Sequence, residues 1–219
     1  MRITNSVSFL RGCAIAVAVT AAVLGQCGVA RADIIDEWST LTVPAPAPEL
    51  KPAVLDPKTT ALLMLDFLPP NCGRSPRCMG TLPKVKTLLD AARAAKALVI
   101  YTEFPPVAMT DVLPDVKPLG NEPNVQASAD KFINSNLDQT LKTAGIKTVI
   151  VVGAAANGAV LYTGSDAAQR GYKVIVPVDG MSGNTPFAEG YTALQLSTGP
   201  TVGQNVTLTR TGMVKFGTP

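Results

Sequence analysis

Apolar runs and stretches of helical periodicity alternate along this chain. Residues 146–152 and 174–178 are runs rich in β-branched residues; the first lies between two glycines and the second ends at Asp-Gly. Such apolar runs are typical of strands buried on both faces, as in a parallel sheet. Between them, apolar side chains recur at helical spacing after Asn157, a residue type that commonly caps helices, and stop before Gly171. Residues 146–180 therefore predict a strand–helix–strand unit with a right-handed crossover.

The same alternation continues on both sides of this unit and predicts the fold class. Residues 60–67 are a further apolar strand pattern that contains Asp66 at its end, whereas residues 107–129 lack periodicity and predict a long loop. The remaining predicted elements are helices at residues 82–95 and 187–196, a helix that ends near Leu141, and strands at residues 97–101, 206–208 and 213–216. Strands that alternate with helices predict a three-layer, doubly wound, Rossmann-like α/β fold with a mainly parallel sheet. Ligands of such sheets bind outside the carboxyl ends of the strands, here near Asp66 and residues 153–158.

The first 32 residues have the organisation of a secretory signal peptide. Two arginines flank the polar start, residues 13–28 are apolar and almost uncharged, and Ala30-Arg31-Ala32 supplies small residues where a signal peptidase cleaves. The alternative, a membrane anchor, is disfavoured because the apolar stretch is short and rich in small residues. The protein is therefore expected to be exported, either periplasmic or secreted, with no membrane association after cleavage.

A Pro- and Ala-rich arm is predicted at residues 33–57, before the globular domain at residues 58–219. Its Val-Pro-Ala-Pro-Ala-Pro stretch favours an extended, partly polyproline II conformation. The arm either wraps around its own domain or reaches a neighbouring subunit. A homo-oligomer is therefore one expected partner, beside a small-molecule ligand.

Charge and cysteine content narrow the possible functions. The chain has 19 Lys and Arg residues and 16 Asp and Glu residues. Loss of residues 1–32 removes three arginines and no acidic residue, so the remaining chain is formally neutral. Its net charge therefore gives no electrostatic argument for nucleic-acid binding. Cys72 and Cys78 close a short loop outside the signal peptide, and an even pair in an oxidising compartment predicts a disulfide. The alternative is a redox or metal pair. The chain has no histidine to complete a metal site, so neither a metal nor a cofactor is expected.

The strand–helix–strand unit also matches a family signature. That signature is a strand, then Gly-Val-Ala-Thr-Asp-x-Cys-Val, a Thr two or three residues later, and an Arg-Gly-Tyr-x-Val strand that ends in Asp-Ala. The matching residues are Gly153, Ala155, Asn157, Val160, Thr163, Arg170, Gly171, Tyr172, Val174 and Asp179. The chain therefore resembles the isochorismatase-like hydrolases, also called the cysteine hydrolase superfamily. Ala159 stands where that family carries its nucleophilic cysteine.

The resemblance implies a set of site residues. Asp66 matches the family's general acid/base, and Lys131 matches a lysine that places a fixed positive charge beside a developing anion. Leu68 replaces a glutamine of the family, and the chain lacks the histidines of the metal-assisted nicotinamidase branch. The substrate-binding positions that the resemblance implies are Phe67, Ala155, Asn157, Gly158 and Tyr162.

Ala159 excludes the thioester mechanism, because alanine has no thiol, and two possible functions remain. In the first, the protein is a hydrolase in which Asp66 protonates a small molecule of the vinyl-ether type and water completes the hydrolysis, as the resemblance to the isochorismatases themselves implies. In the second, it is a catalytically inactive, exported binding protein on the same fold. The pair Asp66 and Lys131 favours the first, because a pure scaffold has no physical need of two such charges.

Overall fold

The computed structural model describes residues 48–107 and 111–217, and the structural statements below refer to these residues. The predicted signal peptide and residues 33–47 of the predicted arm lie outside them. No helix in this part of the chain combines the length and the hydropathy that crossing a bilayer requires.

Strands and helices alternate through the described part of the chain. The strands are β1 (Ala53–Leu55), β2 (Thr60–Leu65), β3 (Leu98–Glu103), β4 (Asn124–Gln126), β5 (Thr148–Ala154), β6 (Lys173–Pro177), β7 (Met181–Ser182), β8 (Val206–Thr209) and β9 (Val214–Phe216). The helices are α1 (Pro76–Met79), α2 (Leu82–Ala94), α3 (Leu137–Thr143), α4 (Leu161–Gln169) and α5 (Pro186–Thr198).

The central sheet is parallel, as the apolar runs predicted. Its strand order is β4-β3-β2-β5-β6-β8, and the short β7 pairs with β5. Every strand pair in it is parallel. The predicted mainly parallel, doubly wound α/β fold is therefore confirmed.

Both faces of this sheet are covered, which explains why its central strands are mostly apolar and why every residue of β2 is buried. One core cluster packs α3, α4 and α5 on the sheet and includes Leu63, Val151 and Leu196. The other packs α2 and the β1–β9 pair on the opposite face and includes Met64. Because successive strand residues point to opposite faces, Leu63 and Met64 enter different clusters. Each such fully buried side chain contributes about 1.5–3 kcal/mol to folding.

The order of the strands reverses between β2 and β5. From β2 the chain winds outward through β3 to β4, and from β5 it winds the other way through β6 to β8. In open α/β sheets, ligands bind in the crevice at the carboxyl ends of the strands where the order reverses. That crevice lies beside Leu65 and Gly153, which are paired across the two strands.

Gly153 makes the close approach of these two strand ends possible. Its φ is +144°, and a Cβ on it would lie 2.7 Å from the Cβ of Leu65 and clash with the Leu65 carbonyl oxygen. Only glycine combines that backbone angle with that space. The glycine that ends the apolar run in the sequence is therefore required by strand packing at the edge of the crevice.

Two predicted local features are wrong. The stretch predicted as a structureless loop contains the edge strand β4, which is three residues long and therefore too short to show a period in the sequence. Asn157 does not cap a helix: it lies inside a single π-helical turn, Ala156–Val160, that continues directly into α4, and no side chain caps α4.

The end of the segment predicted as an arm forms regular structure. Residues 53–55 are β1, which pairs in parallel with β9 in a separate two-stranded sheet. The amide of Lys51 also donates a 2.8 Å hydrogen bond to the carbonyl oxygen of Leu208. Residues 51–55 of this segment are thus held against their own domain.

Candidate active site at the carboxyl edge of the sheet

Asp66 directly follows β2 at the crevice. Its backbone lies in the left-handed region, with φ 53°, which turns the chain out of the strand. The residue is 4% exposed. Thr102, at the neighbouring position in β3, accepts a 3.2 Å hydrogen bond from the Asp66 amide and donates a 2.7 Å hydrogen bond to Asp66 Oδ1. Thr102 therefore fixes both the backbone and the carboxylate of Asp66.

Lys131 is the charge partner of Asp66. Its Nζ lies 2.7 Å from Asp66 Oδ2, and its side chain is fully buried. Nζ also donates a 3.2 Å hydrogen bond to the carbonyl oxygen of Ala127. The backbone amide of Lys131 donates a 3.2 Å hydrogen bond to Thr163 Oγ1 on α4. The lysine that the resemblance singled out is thus held from both ends in one position beside Asp66.

Burial and the ion pair act in opposite directions on Asp66. Desolvation raises the pKa of the carboxyl group above its ordinary value, while the charge of Lys131 and the hydrogen bonds from Lys131 and Thr102 lower it. Desolvation is the largest of these effects, so the net direction is upward. A carboxyl group with a raised pKa and a fixed cation beside it can hold a proton and release it within the cavity.

A cavity of about 540 Å³ opens in front of this pair. Asp66 and Ala159 both line it, together with Ala155 and Gly158 from the loop after β5. Phe104 and Pro105, which follow β3, form another part of the wall. The position that holds cysteine in the family signature therefore faces the same space as Asp66, and a methyl group replaces the thiol there.

The loop after β5 shapes the floor of this cavity. The peptide bond between Ala154 and Ala155 is cis, and the chain then enters the turn that carries Ala159. Asn71, from the loop after β2, donates a 3.1 Å hydrogen bond from Nδ2 to the carbonyl oxygen of Ala154. The loop after β2 is therefore joined directly to the end of β5 across the crevice.

Three residues named from the resemblance lie elsewhere. Phe67 is 1% exposed and packs in the core cluster on the α2 side of the sheet. Asn157 is exposed and is not among the residues that line the Asp66 cavity. Tyr162 is half exposed and lines a separate cavity with Ile133 and Gln169. The structure thus brings together Asp66, Lys131, Ala155, Gly158 and Ala159, and leaves these three outside that group.

The predicted disulfide is present. Cys72 and Cys78 are joined by an S–S bond of 2.04 Å, and both residues are buried. Within the described residues, no group of three or more His, Cys, Asp or Glu side chains is placed to hold a metal ion. The disulfide closes the loop after β2, next to Asn71.

Sequence reasoning did not assign several residues that complete the site. Thr102, Asn71 and Thr163 make the hydrogen bonds described above, and the carbonyl oxygen of Ala127 accepts from Lys131. Thr102 directly follows the strand predicted at residues 97–101, at the edge of the sheet where ligands bind, and that position is the signal that could have identified it. Thr163 matched the family signature but had no assigned role, whereas Asn71 and Ala127 carry no signal, since their roles depend on which loops meet.

Comparison with known families agrees with this geometry. The model of the isochorismatase domain family matches residues 60–207, which is most of the described chain. The protein is therefore a member of the isochorismatase domain family. Membership supports a hydrolase-type function. No curated protein matches the chain.

Solved structures of similar fold come from several hydrolases. An isochorismatase-like hydrolase from Alkaliphilus metalliredigens is 23% identical, with a TM-score of 0.64, over 70% of this chain and 87% of that one. A cysteine hydrolase from Pseudomonas syringae pv. phaseolicola is 22% identical, with a TM-score of 0.62, over 76% and 94%. A nicotinamidase/pyrazinamidase from Bacillus subtilis is 13% identical, with a TM-score of 0.62, over 69% and 100%. At these identities the likeness establishes the fold.

Proposed function

We propose that this protein is a hydrolase that acts without a cysteine nucleophile, by acid catalysis on a small molecule of the vinyl-ether type. The observation that carries the proposal is that Asp66, buried and paired with Lys131, lines a cavity in which Ala159 occupies the nucleophile position of the family. Removing one partner from a buried ion pair lowers the stability of a protein by about 3–5 kcal/mol, because the remaining charge is left buried and unpaired. Asp66 and Lys131 are therefore stable in this position only as a pair. The family's small-molecule hydrolases supply the reaction class.

The reaction needs a proton donor and water, and no covalent intermediate. Asp66 transfers its proton to the terminal carbon of the vinyl ether, and the electron pair of the double bond forms the new C–H bond. Water adds to the resulting oxocarbenium carbon and returns a proton to Asp66; the hemiketal then collapses to a carbonyl compound and an alcohol. Lys131 stabilises the carboxylate that Asp66 becomes after proton transfer. Ala159 leaves room for the substrate where a thiol would stand.

The alternative is a catalytically inactive binding protein on the same fold. The observation that favours it is the methyl group of Ala159 in the nucleophile position, together with Leu68 where the family has glutamine. In that case the cavity holds a small molecule and releases it unchanged. In both cases we propose that the protein is exported, which the sequence of residues 1–32 and the Cys72–Cys78 disulfide support.

The decisive experiment is turnover of isochorismate by the purified protein, followed as release of pyruvate. We expect turnover in the wild-type protein and a loss of about 100-fold or more in Asp66→Asn, because general acid catalysis contributes about 10²–10⁴ in rate. Asp115→Asn is the matched control: Asp115 is exposed on a surface turn, and its replacement should leave the rate unchanged.

Each possible result decides between the two functions. Equal turnover by wild-type protein and Asp66→Asn would exclude Asp66 as the acid. Binding of isochorismate in calorimetry without release of pyruvate would favour the binding protein. Circular dichroism of both variants establishes that a lost rate reflects chemistry and not unfolding.

A further inference from the structure

A second cavity of about 540 Å³ adjoins the one at Asp66. The two share Asn71, Ala154 and Ala155 as common wall residues. The second cavity extends away from Asp66 along the disulfide loop, where Arg74 and Arg77 line it. A ligand whose reacting part lies beside Asp66 therefore has a path toward two arginines.

The charges in this second cavity are not balanced. Arg77 is already paired, because its Nε donates a 2.9 Å hydrogen bond to Glu189 Oε1, and the same oxygen accepts a 3.0 Å hydrogen bond from the amide of Gly183. Arg74 has no ion-pair partner in residues 48–107 and 111–217. None of the residues that line the cavity is acidic. One unneutralised guanidinium group therefore borders the cavity.

The backbone that carries Arg74 is fixed on both sides. The amide of Arg74 donates a hydrogen bond to the carbonyl oxygen of Cys72, and Cys72 is bonded to Cys78 six residues further on. Asn71 Oδ1 accepts a 2.8 Å hydrogen bond from the Cys72 amide, while its Nδ2 donates to the carbonyl oxygen of Ala154 at the end of β5. A long side chain on a fixed backbone loses less freedom on binding than one on a free loop.

We propose that the second cavity binds a carboxylate group of the ligand, with the guanidinium group of Arg74 donating to both carboxylate oxygens. The planar guanidinium group matches a carboxylate in two parallel hydrogen bonds. The ligand class is then a small carboxylic acid whose other end reaches Asp66. This assignment rests on the proposed function in placing the reacting end of the ligand at Asp66, and it adds what holds the opposite end.

The test is a binding measurement that needs no turnover. Benzoate is titrated into the purified protein by calorimetry, and benzamide, a neutral molecule of the same shape, is titrated in parallel. We expect benzoate to bind and Arg74→Gln to weaken it by about tenfold, the size of a charge-assisted hydrogen bond. Arg74→Lys keeps the charge but loses the two-pronged geometry, and should weaken it less.

Arg210→Gln is the matched control, because it removes the same charge from an exposed residue that lines neither cavity. It should change the dissociation constant of benzoate less than twofold. Equal weakening by both substitutions would mean that net charge and not Arg74 binds the anion, and would overturn the assignment. So would a wild-type protein that binds benzoate no better than benzamide.

The experiments distinguish failure of the carboxylate site at Arg74 from failure of the proposed hydrolase reaction. If Arg74→Gln weakens benzoate but the wild-type protein releases no pyruvate from isochorismate, the carboxylate site stands and the proposed reaction falls. If pyruvate is released at an unchanged KM in Arg74→Gln, the reaction stands and the carboxylate site falls.

Discussion

Asp66 combines three features that a residue in a structural role does not need together. It has a left-handed backbone, it is buried, and both of its carboxylate oxygens have partners. A buried pair of this kind is often no more stable than apolar residues of the same volume. Stability alone therefore does not explain it, whereas the proton transfer that we propose would require this arrangement.

The raised pKa of Asp66 predicts a pH dependence of stability. Below the ordinary pKa of 3.8, Asp66 is protonated in both the folded and the unfolded protein. As the pH rises above that value, the unfolded chain loses the proton first, so the wild-type protein loses free energy of unfolding relative to Asp66→Asn until the pH passes the raised pKa. The slope cannot exceed about 1.4 kcal/mol per pH unit.

Urea unfolding of both proteins between pH 3 and pH 7 measures this difference. Asp115→Asn provides the baseline, because Asp115 is exposed and its variant should follow the wild-type curve. A wild-type protein that gains stability over Asp66→Asn as the pH rises from about 4 would mean that Lys131 and Thr102 outweigh desolvation, and the pKa of Asp66 would then be lowered.

Gly153→Ala is predicted to be strongly destabilising. The added Cβ would clash with the Leu65 carbonyl oxygen, and the φ of +144° is unfavourable for alanine. We expect a loss of about 3 kcal/mol or more in the free energy of unfolding. Gly145→Ala is the control: its φ is +68°, but nothing lies within 4 Å of the new Cβ, so about 1–2 kcal/mol is expected. Equal losses would show that strand contact at Gly153 is unimportant.

At the scale of elements, the site consists of loops that follow parallel strands. β2, β3 and β5 end at the same edge, and the residues after them supply Asp66, the Phe104–Pro105 wall and the turn that carries Ala159. The loop after β2 has an additional constraint, the Cys72–Cys78 disulfide. Arg74 and Arg77, which line the second cavity, thus lie within a covalently closed loop.

Replacing both cysteines by alanine is predicted to cost about 2 kcal/mol of stability, since the bridge closes a short loop and restricts the unfolded chain only modestly. Thermal unfolding with and without a reductant measures this. Reductant should lower the Tm of the wild-type protein and leave that of the double variant unchanged. A wild-type Tm that does not respond to complete reduction would show that packing alone holds this loop.

Strands and helices could be predicted from the sequence where they are long enough to show a clear hydrophobic pattern. The strands at β2, β5 and β6 and the helices α2 and α5 lie within two residues of their predicted bounds. β4 was missed because three residues carry no period, and because its pairing depends on β3, more than 20 residues earlier in the chain. The prediction of a helix cap at Asn157 was wrong because the preference of asparagine for cap positions is a local property. The turn that contains Asn157 depends instead on where β5 ends.

At the scale of the whole molecule, strand order decides which residues meet. Asp66, Lys131 and Ala159 come from three distant parts of the chain and meet because β2 and β5 are neighbours in the sheet. Each one alone has an ordinary interpretation, as a turn residue, a surface lysine and a helix alanine. The family resemblance assigns a role to each of the three residues. The tertiary structure shows that Lys131 pairs with Asp66 and that Ala159 lines the same cavity as Asp66.

Ala159→Cys is predicted to place a reactive thiol in the Asp66 cavity. Iodoacetamide should label this cysteine, because Ala159 lines the cavity and a thiol there would face the reagent. Ala156→Cys is the control: Ala156 is fully buried in the core and should stay unlabelled. Mass spectrometry of the peptides separates these sites from other cysteines. Equal labelling of both variants would contradict the placement of Ala159 at the cavity.

The sequence by itself determined the fold class, the parallel sheet, the paired cysteines and the positions of Asp66, Lys131 and Ala159 in a family pattern. These follow from hydrophobic periodicity and from short motifs, which are local in the chain. Only the tertiary structure decided that Asp66 and Lys131 form a buried ion pair, that Thr102 orients Asp66, and that neither Phe67 nor Tyr162 lines the cavity. Such contacts join residues far apart in the chain, and their free energy depends on burial, which no local pattern encodes.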